Sequence, residues 1–368
     1  MNSFRFLLLS ILVIGIVNAQ DKNAEDSEFE KRASAEYAKF RQQYGKSLSM
    51  GGEDRFKIFK NNLKEIETFN KDPDHHFQLG VGPYADLTNT EYVETVLNVN
   101  MINEVQQVIN NTKNSRTKRQ AGSKGTCPPR FMWEDISVFK KNWNWYMYPG
   151  YSTPVRNQGQ CASCYTFATA DVFTTRHKFM YSRTNEQQSG SQEQILDLSM
   201  GYGNLGCRGG FWENSYKYLL DKGLVDYSVY PYQGDTSQSK PWVETDETIN
   251  KWKVNKDLCT ICTITSGNEA DLWYAQFSGA VGVAIDASTT AFQNYKGGIF
   301  DDVTCSKKQP NHAMVAIGYG YDEAARTYYW LVKNSYGTGW GENGFIRIKY
   351  GKNVCGIAGF ASYPSCYV

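Results

Sequence analysis

The chain has 368 residues, which is long enough for two compact domains and additional segments. Its 39 basic and 38 acidic residues give a formal net charge of +1. This balance argues against a basic surface field, so we expect no nucleic-acid partner. Nine cysteines are typical of an oxidising compartment, and their odd number leaves at least one thiol unpaired.

The first 19 residues have the pattern of a secretory signal peptide. Arg5 provides a positive charge, residues 6–17 form an apolar run, and Val17-Asn18-Ala19 is a small-residue cleavage site. The apolar run is too short to span a bilayer, and no later segment is apolar enough to do so. We therefore expect the mature protein to be soluble, outside the cytosol and without a membrane partner.

The next two regions predict a helical domain followed by a linker. Within residues 20–95, Phe56, Phe59, Leu63 and Ile66 recur at three- and four-residue steps, which indicates an amphipathic helix. Residues 96–126 are mostly polar and lack an apolar period, as is typical of a linker. Its basic residues 116–119 resemble the recognition sequence of furin-like convertases. They could also form a solvated charge run, so both interpretations stay open.

Helical patterns precede strand patterns in the rest of the chain. Helices are predicted at 164–181 and at Glu213–Lys222, and Gly223 would end the second helix. Strands are predicted at 281–285, 313–319, 328–332 and 345–350. Residues 138–151 carry extra aromatic side chains, and we expect a surface flap packed by its own rings.

Three residues form a set of nucleophile, base and orienting amide: Cys164, His312 and Asn334. A free thiol is mostly protonated at neutral pH and is a poor nucleophile until its proton is removed. Because a helix is predicted from Cys164, its sulfur would lie at a helix N-terminus, where negative charge is favoured. A neighbouring histidine can hold the proton as imidazolium.

Each of the three residues lies in an extended motif. The motifs are Gln158-Gly159-Gln160-Cys161-Ala162-Ser163-Cys164-Tyr165, Asn311-His312-Ala313-Met314 and Val332-Lys333-Asn334-Ser335-Tyr336-Gly337. Together they resemble the papain family of cysteine proteases, most closely its cathepsin L-like branch. In papain-like enzymes roughly 130–150 residues separate the cysteine from its partners, which His312 fits while Asn334 lies somewhat beyond.

The resemblance implies an α+β, papain-like two-domain fold, in which a helical domain packs against a β-barrel-like domain with the active cleft between them. It divides the chain into a signal peptide (1–19), an inhibitory propeptide domain (20–95), a linker with a processing site (96–126), a helical catalytic half-domain (127–233) and a β-rich catalytic half-domain (234–368). The implied function is a cysteine endopeptidase made as a propeptide-inhibited zymogen, either secreted or lysosomal. Its partners would be protein or peptide substrates, its own propeptide and cystatin-like inhibitors.

Two propeptide motifs support this division. Residues at five helical positions resemble the interspersed motif of cathepsin L-like propeptides; they are Arg55, Phe59, Asn62, Ile66 and Asn70. The leading Glu of that motif is missing, since Gly51 stands at its spacing. Residues 80–86 resemble the short motif that follows, with Gly82 and Tyr84 where Asn and Phe are usual.

The resemblance also implies roles for individual residues. Gln158 and the backbone N–H of Cys164 would stabilise the oxyanion, His312 would protonate the leaving amine, and Asn334 would fix the imidazole. No metal or organic cofactor is needed. The substrate-binding residues carried over by motif are Gly209, Gly210, Phe211, Trp212, Ala284, Asn311, Ala313 and Phe360. Residues 211, 212, 284 and 313 would wall an apolar pocket for the side chain two residues before the scissile bond, with Phe360 as its floor.

Cysteine pairing follows the resemblance only in part. It implies bridges between Cys161 and Cys207 and between Cys305 and Cys355, with Cys164 left free. The family's usual cysteine near Leu198 is absent, so the pairing of the remaining four stays open; they are Cys127, Cys259, Cys262 and Cys366. The two cysteines at 259 and 262 also fit a redox or zinc motif. The sequence has only four histidines and no second pair of cysteines at this spacing near them, which argues for structural disulfides instead.

Three departures from the family pattern motivate an alternative function. Ala162, Tyr165 and Tyr336 stand where Gly, Trp and Trp are usual, and the last Trp normally shields the Asn–His hydrogen bond from water. The alternative is a catalytically weak homologue that acts as a binding or scaffold protein. A third interpretation, an inhibitor acting through the propeptide alone, is disfavoured by the intact C-terminal motifs. The retained nucleophile and base favour the endopeptidase.

Overall fold

The computed structural model describes residues 25–46, 52–99, 127, 141–148, 150–181 and 189–366. The predicted signal peptide and the basic run at 116–119 lie outside these residues. Within the described ranges, no helix is both long and apolar enough to cross a membrane.

The helices and strands are numbered in chain order. The α-helices of the described residues are α1 (25–44), α2 (Gly52–Asn70), α3 (Asn89–Thr95), α4 (Cys164–Met180), α5 (Gln192–Leu198), α6 (Trp212–Lys222), α7 (Trp242–Thr245), α8 (Glu269–Ala275) and α9 (Thr290–Gln293). The strands are β1 (Phe77–Leu79), β2 (Trp143–Asn144), β3 (Leu224–Val225), β4 (Lys251–Trp252), β5 (Cys259–Thr263), β6 (Val281–Ile285), β7 (Tyr295–Phe300), β8 (His312–Asp322), β9 (Thr327–Lys333), β10 (Phe345–Lys349) and β11 (Phe360–Cys366). The two helices and four strands predicted from the sequence are confirmed, with small differences at their ends.

The N-terminal region is a helical unit with its own small core. Phe40 of α1 packs on Phe59 of α2, with the ring centroids 5.1 Å apart, and Leu63 is buried beside them. Polar motif residues of α2 hold the loop that follows. Asn62 donates to the carbonyl oxygen of Leu87 at 2.9 Å, and Arg55 forms an ion pair with Glu91 at 2.8 Å. The interspersed motif therefore fixes the position of α3 relative to α2.

A mixed sheet forms the scaffold of the C-terminal half. Its strand order is β1-β7-β10-β9-β8-β6-β11-β5, with β2 paired to β8. β7 and β10 are parallel, and the other pairs are antiparallel. β1 comes from the N-terminal helical unit, so that unit extends the sheet of the C-terminal half. The predicted α+β architecture is confirmed.

The aromatic segment is anchored to this sheet by β2. Trp143 pairs with Tyr319, and a Cβ atom at Gly318 would clash with the carbonyl oxygen of Trp143. Trp145 is buried and donates from Nε1 to the carbonyl oxygen of Gln276 at 2.7 Å. In the described part of this segment the rings also pack on one another, with 5.4 Å between the centroids of Trp143 and Trp145, as expected for a flap.

α4 is the central element of the helical half and is buried over most of its length. It packs against β8 on one side and against α5 and α6 on the other. A two-stranded sheet of β3 and β4 closes this half. β4 lies beyond residue 234, in the predicted β-rich half, and the division at 233/234 stays a prediction.

Four disulfides form in the described residues, and one of them, Cys127–Cys262, joins the two predicted halves. The structure pairs Cys161 with Cys207 and Cys305 with Cys355, the two bridges that the resemblance implied. The four cysteines left open form two more bridges, Cys127–Cys262 and Cys259–Cys366. The cysteines at 259 and 262 thus belong to separate bridges on the edge strand β5. Cys164 is the one free thiol, and all nine cysteines lie in the described residues.

Candidate active site

Cys164 is the first residue of α4, where the helix meets the start of β8. Its Sγ accepts a hydrogen bond from the backbone N–H of Ala313 at 3.4 Å. Ser163, the residue before the helix, makes no side-chain cap, and the backbone N–H groups of Cys164 and Tyr165 act on the sulfur instead. Both features favour a negative charge on the sulfur.

His312 and Asn334 are brought together by neighbouring strands. His312 begins β8, and Asn334 follows the last residue of β9, its antiparallel neighbour. The imidazole Nε2 donates to Oδ1 of Asn334 at 2.8 Å. Because an amide oxygen can only accept, Nε2 holds the hydrogen and Nδ1 keeps its lone pair. Nδ1 has no hydrogen-bond partner among the described residues, so it can accept a proton.

Aromatic side chains cover the imidazole. The ring of Tyr336 lies 4.9 Å from that of His312 at an interplanar angle of 35°, and Phe292 lies 6.0 Å away. Tyr336 is itself buried. A phenol therefore shields the hydrogen bond between His312 and Asn334 at the position where the family usually has an indole.

Burial decides the protonation state of the pair. Desolvation raises the pKa of the Cys164 thiol to about 12, against the opposing effect of the backbone N–H groups of Ala313 and Tyr165. Desolvation also lowers the pKa of His312 to about 4, although the hydrogen bond to Asn334 acts in the opposite direction. With the cleft covered, the two groups are a neutral thiol and a neutral imidazole at pH 7.

Gln158 lies beside Cys164 and is held at both ends of its amide. Its Oε1 accepts from the hydroxyl of Ser335 at 2.6 Å. Its Nε2 donates to the carbonyl oxygens of Cys161 and Val96, each at 3.0 Å. The second acceptor belongs to the segment that follows α3, so a main-chain carbonyl from outside the catalytic half-domains already occupies this donor.

The segment after α3 lies in the cleft between the two halves. The N–H of Asn98 donates to the carbonyl oxygen of Asn311 at 2.8 Å, and its side-chain Nδ2 donates to that of Gly210 at 2.6 Å. Gly209 has a φ of 108°, and a Cβ atom there would clash with the side chain of Asn98. Residues 96–98 therefore bridge the helical half and the β half across the site.

The predicted apolar pocket residues adjoin one another. The ring of Phe360 lies 5.2 Å from that of Phe211 and 5.5 Å from that of Trp212. Phe360 is also the register partner of Ala284, which is opposite Ala313 in the next strand. All five side chains are buried. These contacts bring the five residues together, and their role as a substrate pocket stays a prediction.

A buried ion pair lies behind the site. Lys333, next to Asn334, contacts Asp171 of α4 at 2.6 Å and donates to the carbonyl oxygen of Thr153 at 2.6 Å. Burial lowers the pKa of Lys333 despite the charge of Asp171. This pair links the strand that carries Asn334 to the helix that carries Cys164. In the described part of the chain, no cluster of His, Cys, Asp and Glu could hold a metal ion.

The sequence did not point to several residues at the site. They are Tyr92, Val96, Asn98, Asp171 and Ser335. Ser335 follows Asn334 within a recognised motif, so the motif could have indicated that Ser335 lies at the site. The others carry no local signal, because their contacts are to residues far away in the chain.

Comparison with known proteins places these features in a family. A sequence profile described as papain family cysteine protease matches residues 139–365, and one described as cathepsin propeptide inhibitor domain matches residues 37–92. Cathepsin J of Rattus norvegicus is 31% identical over 98% of this chain and 99% of its own length. Cathepsin L of Sarcophaga peregrina is 31% identical over 90% of this chain and 92% of its own length.

Solved structures give the same result. The recombinant stem bromelain precursor superimposes with a TM-score of 0.71 at 27% identity, covering 92% of this chain and all of that one. Fold and cleft define a thiol-dependent endopeptidase with its inhibitory propeptide in place. The chain belongs to the papain family of cysteine proteases, where it is a cathepsin L-like zymogen.

Proposed function

We propose that Cys164 is the nucleophile of this endopeptidase and that His312 is its base. The observation that carries the proposal is the buried pair of His312 and Asn334, which leaves Nδ1 of His312 without a partner among the described residues while the sulfur of Cys164 accepts from the N–H of the next residue, Ala313, at 3.4 Å. When substrate replaces the propeptide, the thiol proton moves to Nδ1. The thiolate then attacks the substrate carbonyl and forms a tetrahedral oxyanion.

Gln158 and the backbone N–H of Cys164 stabilise that oxyanion. The support for Gln158 is its Nε2, which already donates to the carbonyl oxygen of Val96 at 3.0 Å. As the intermediate collapses, the imidazolium gives its proton to the leaving amine and the C–N bond breaks. Water, deprotonated by His312, then hydrolyses the thioester and restores the thiol.

Processing after Arg119 is the proposed first step of activation. It cuts the chain between propeptide and catalytic domain, while residues 96–98 still lie in the cleft through the hydrogen bonds of Asn98. The disulfide from Cys127 to Cys262 keeps the new N-terminal segment attached to β5. A mature chain that begins far from residues 120–127 would exclude this route and favour self-processing at acid pH.

A secreted or lysosomal location completes the proposal, and cystatin-like proteins are the inhibitors expected for the emptied cleft. The signal-peptide pattern at residues 1–19 and four disulfides support a non-cytosolic compartment. Expression with a tagged C-terminus tests the location, because a protein retained in the cytosol would contradict it.

Active-site titration tests the mechanism. Cys164 is the one free thiol, so a thiol-directed epoxide should label the processed protein once, and Cys164→Ala should not be labelled. Peptide hydrolysis should disappear in proportion to labelling. Hydrolysis by the purified Cys164→Ala variant at the wild-type rate would overturn the mechanism. Stoichiometric labelling without any hydrolysis would instead support the alternative of a binding or scaffold protein.

A further inference from the structure

Three tyrosines meet where the propeptide contacts the catalytic domain. Tyr84 and Tyr92 belong to the propeptide, and Tyr336 covers the imidazole of His312. The ring of Tyr84 meets that of Tyr336 edge-on at 4.9 Å, and the ring of Tyr92 does so at 6.2 Å. All three are buried, so the cluster is sealed from water. Tyr84 and Tyr336 are two of the positions at which the chain departs from the family pattern.

The hydroxyls of Tyr92 and Tyr336 bond to each other across this interface, 3.0 Å apart. The hydroxyl of Tyr84 is bound separately, donating to the carbonyl oxygen of Gly159 at 3.0 Å. Burial raises the pKa of Tyr92 and of Tyr336 well above the usual value, so both phenols are neutral. One hydroxyl donates and the other accepts, so each oxygen has a hydrogen-bond partner in the other.

Such a hydrogen-bonded pair is selective because either buried hydroxyl without its partner costs free energy. A buried hydroxyl without a partner loses its hydrogen bonds to water and gains nothing in return. Removing both hydroxyls together leaves no orphan, so it can be nearly neutral. The interface is therefore more stable when both positions carry a hydroxyl or neither does, and less stable when only one of them does.

The space around Tyr336 sharpens this selectivity. Its ring lies 5.6 Å from Trp340 and 6.4 Å from Phe292, besides His312 and the two propeptide tyrosines. An indole at this position is larger than the phenol and would press on the surrounding rings, among them that of Tyr92 at 6.2 Å. Overfilling a close-packed interface forces neighbours off their preferred positions. A catalytic domain with tryptophan here would therefore accept this propeptide poorly.

We propose that Tyr92 and Tyr336 are a matched recognition pair by which the propeptide selects its own catalytic domain. The partner that this surface fits is a papain-like catalytic domain with tyrosine, and not tryptophan, at the position of Tyr336. The inference rests on the proposed role of Cys164 only because labelling of Cys164 is the measurement that tests it. If processed wild-type protein is not labelled by the epoxide, the mechanism fails; the selectivity is decided by the relative rates below.

A double-mutant cycle in the full-length zymogen tests the pair. The variants are Tyr92→Phe, Tyr336→Phe and both together, and the measurement is the rate of Cys164 labelling by a small epoxide. Each zymogen rate is divided by the rate of the same variant after processing, which removes any effect of Tyr336 on His312. Tyr92 belongs to the propeptide, so it provides a variant whose processed form is unsubstituted.

Each single variant should raise the normalised zymogen rate about tenfold. The double variant should return to within about threefold of wild type, because no hydroxyl is left unpaired. Single variants without effect, or a double variant at the product of the two single effects, would overturn the proposal. Tyr84→Phe with Tyr336→Phe is the matched control and should be multiplicative, since Tyr84 bonds to Gly159.

Tyr336→Trp tests the selectivity itself. Its zymogen should be labelled at least about tenfold faster than wild type after the same normalisation, because the indole displaces the Tyr92 side chain. Replacing Tyr92 with the smaller alanine as well, in Tyr92→Ala/Tyr336→Trp, should restore latency, because it makes room for the indole. Wild-type latency in Tyr336→Trp would overturn the proposal. The fraction of each processed variant that the epoxide labels measures how much of that variant is folded. A misfolded variant is therefore not mistaken for a zymogen that has lost its latency.

Discussion

Gln158 donates a hydrogen bond from Nε2 to the main-chain carbonyl oxygen of Val96, 3.0 Å away. The donor proposed to stabilise an oxyanion is therefore occupied by a carbonyl of the segment after α3 before any substrate arrives. Asn98 holds the same segment two residues later, through its own N–H and its side-chain amide. The segment after α3 thus occupies hydrogen-bonding groups that the proposed function assigns to the substrate.

The first prediction concerns this donor. Gln158→Ala should lower kcat by about 100- to 1,000-fold with little change in KM, because the amide acts on charge that develops only in the transition state. Steady-state kinetics on a peptide substrate measure both constants. Gln160→Ala, an exposed neighbour, is the control and should keep full activity. A Gln158→Ala enzyme with unchanged kcat would contradict the assignment.

The second prediction concerns the anchor of the propeptide. Asn98→Ala removes the hydrogen bond to the carbonyl oxygen of Gly210 and should raise the rate of Cys164 labelling in the zymogen about tenfold. The processed enzyme should be unaffected. Thr95→Ala is the control, because Thr95 is exposed and its hydroxyl bonds only within α3, to the carbonyl oxygen of Glu91. Equal labelling of both zymogens would show that Asn98 is not an anchor.

The third prediction gives the sign of the pH dependence. Burial lowers the pKa of His312 to about 4 while the cleft is covered, against a usual value of about 6.5. Opening the cleft restores a higher pKa, so the open form binds the proton more tightly. The closed form should therefore lose stability as the pH falls from about 6.5 to about 4.

Proteolytic susceptibility of the propeptide measures this effect in the Cys164→Ala zymogen, which cannot process itself. Susceptibility should rise as the pH falls through that window. Cys164→Ala/His312→Gln lacks the titrating imidazole and should show a weaker rise, which separates His312 from other acidic groups. Identical profiles for the two proteins would rule out His312 as the source.

The fourth prediction concerns specificity. Trp212 and Phe360 are larger than the Met and Ala frequent at these positions in the family, and none of the five residues assigned to this pocket carries a carboxylate. The residue two before the scissile bond should therefore be Val, Leu or Pro in preference to Phe, and Arg should be excluded. The preference should be graded, since one methylene is worth only about 1–3 kcal/mol.

Profiling with a peptide library varied at that position decides the matter. Phe360→Ala should move the preference toward Phe, because it deepens the pocket floor. Profiles at other substrate positions serve as the internal control and should not change. A leading preference of the wild-type enzyme for Arg or for large aromatic side chains would show that the pocket is wrongly assigned.

The fifth prediction concerns the ion pair behind the site. Asp171→Asn leaves Lys333 buried without its charged partner and should lower the free energy of unfolding by about 3–5 kcal/mol. Urea denaturation of the Cys164→Ala zymogen measures the loss without self-processing. Lys141→Gln breaks an exposed pair with Glu323 and should leave the denaturation midpoint unchanged. An Asp171→Asn variant with an unchanged free energy of unfolding would mean that the ion pair is not needed for stability.

Features that depend on local pattern could be predicted from the order of the residues alone. Apolar residues at helical steps in α2, the helix that starts at Cys164 and the strand at Val281–Ile285 follow from periodicity. The motifs around Cys164, His312 and Asn334 indicated the chemistry because a thiol, an imidazole and an amide in that order suit nucleophilic catalysis. Residues of the apolar pocket followed from the same resemblance.

Contacts between residues far apart in the chain could not be predicted in this way, because they depend on how the helices and strands pack. Four cysteines allow three pairings, and the packing of β5 against β11 placed Cys259 opposite Cys366. The approach of α3 to the active site brought the hydroxyls of Tyr92 and Tyr336 within 3.0 Å, which no local period encodes. The neutral state of Cys164 and His312 also depends on burial, and burial is a property of the closed cleft, not of either residue.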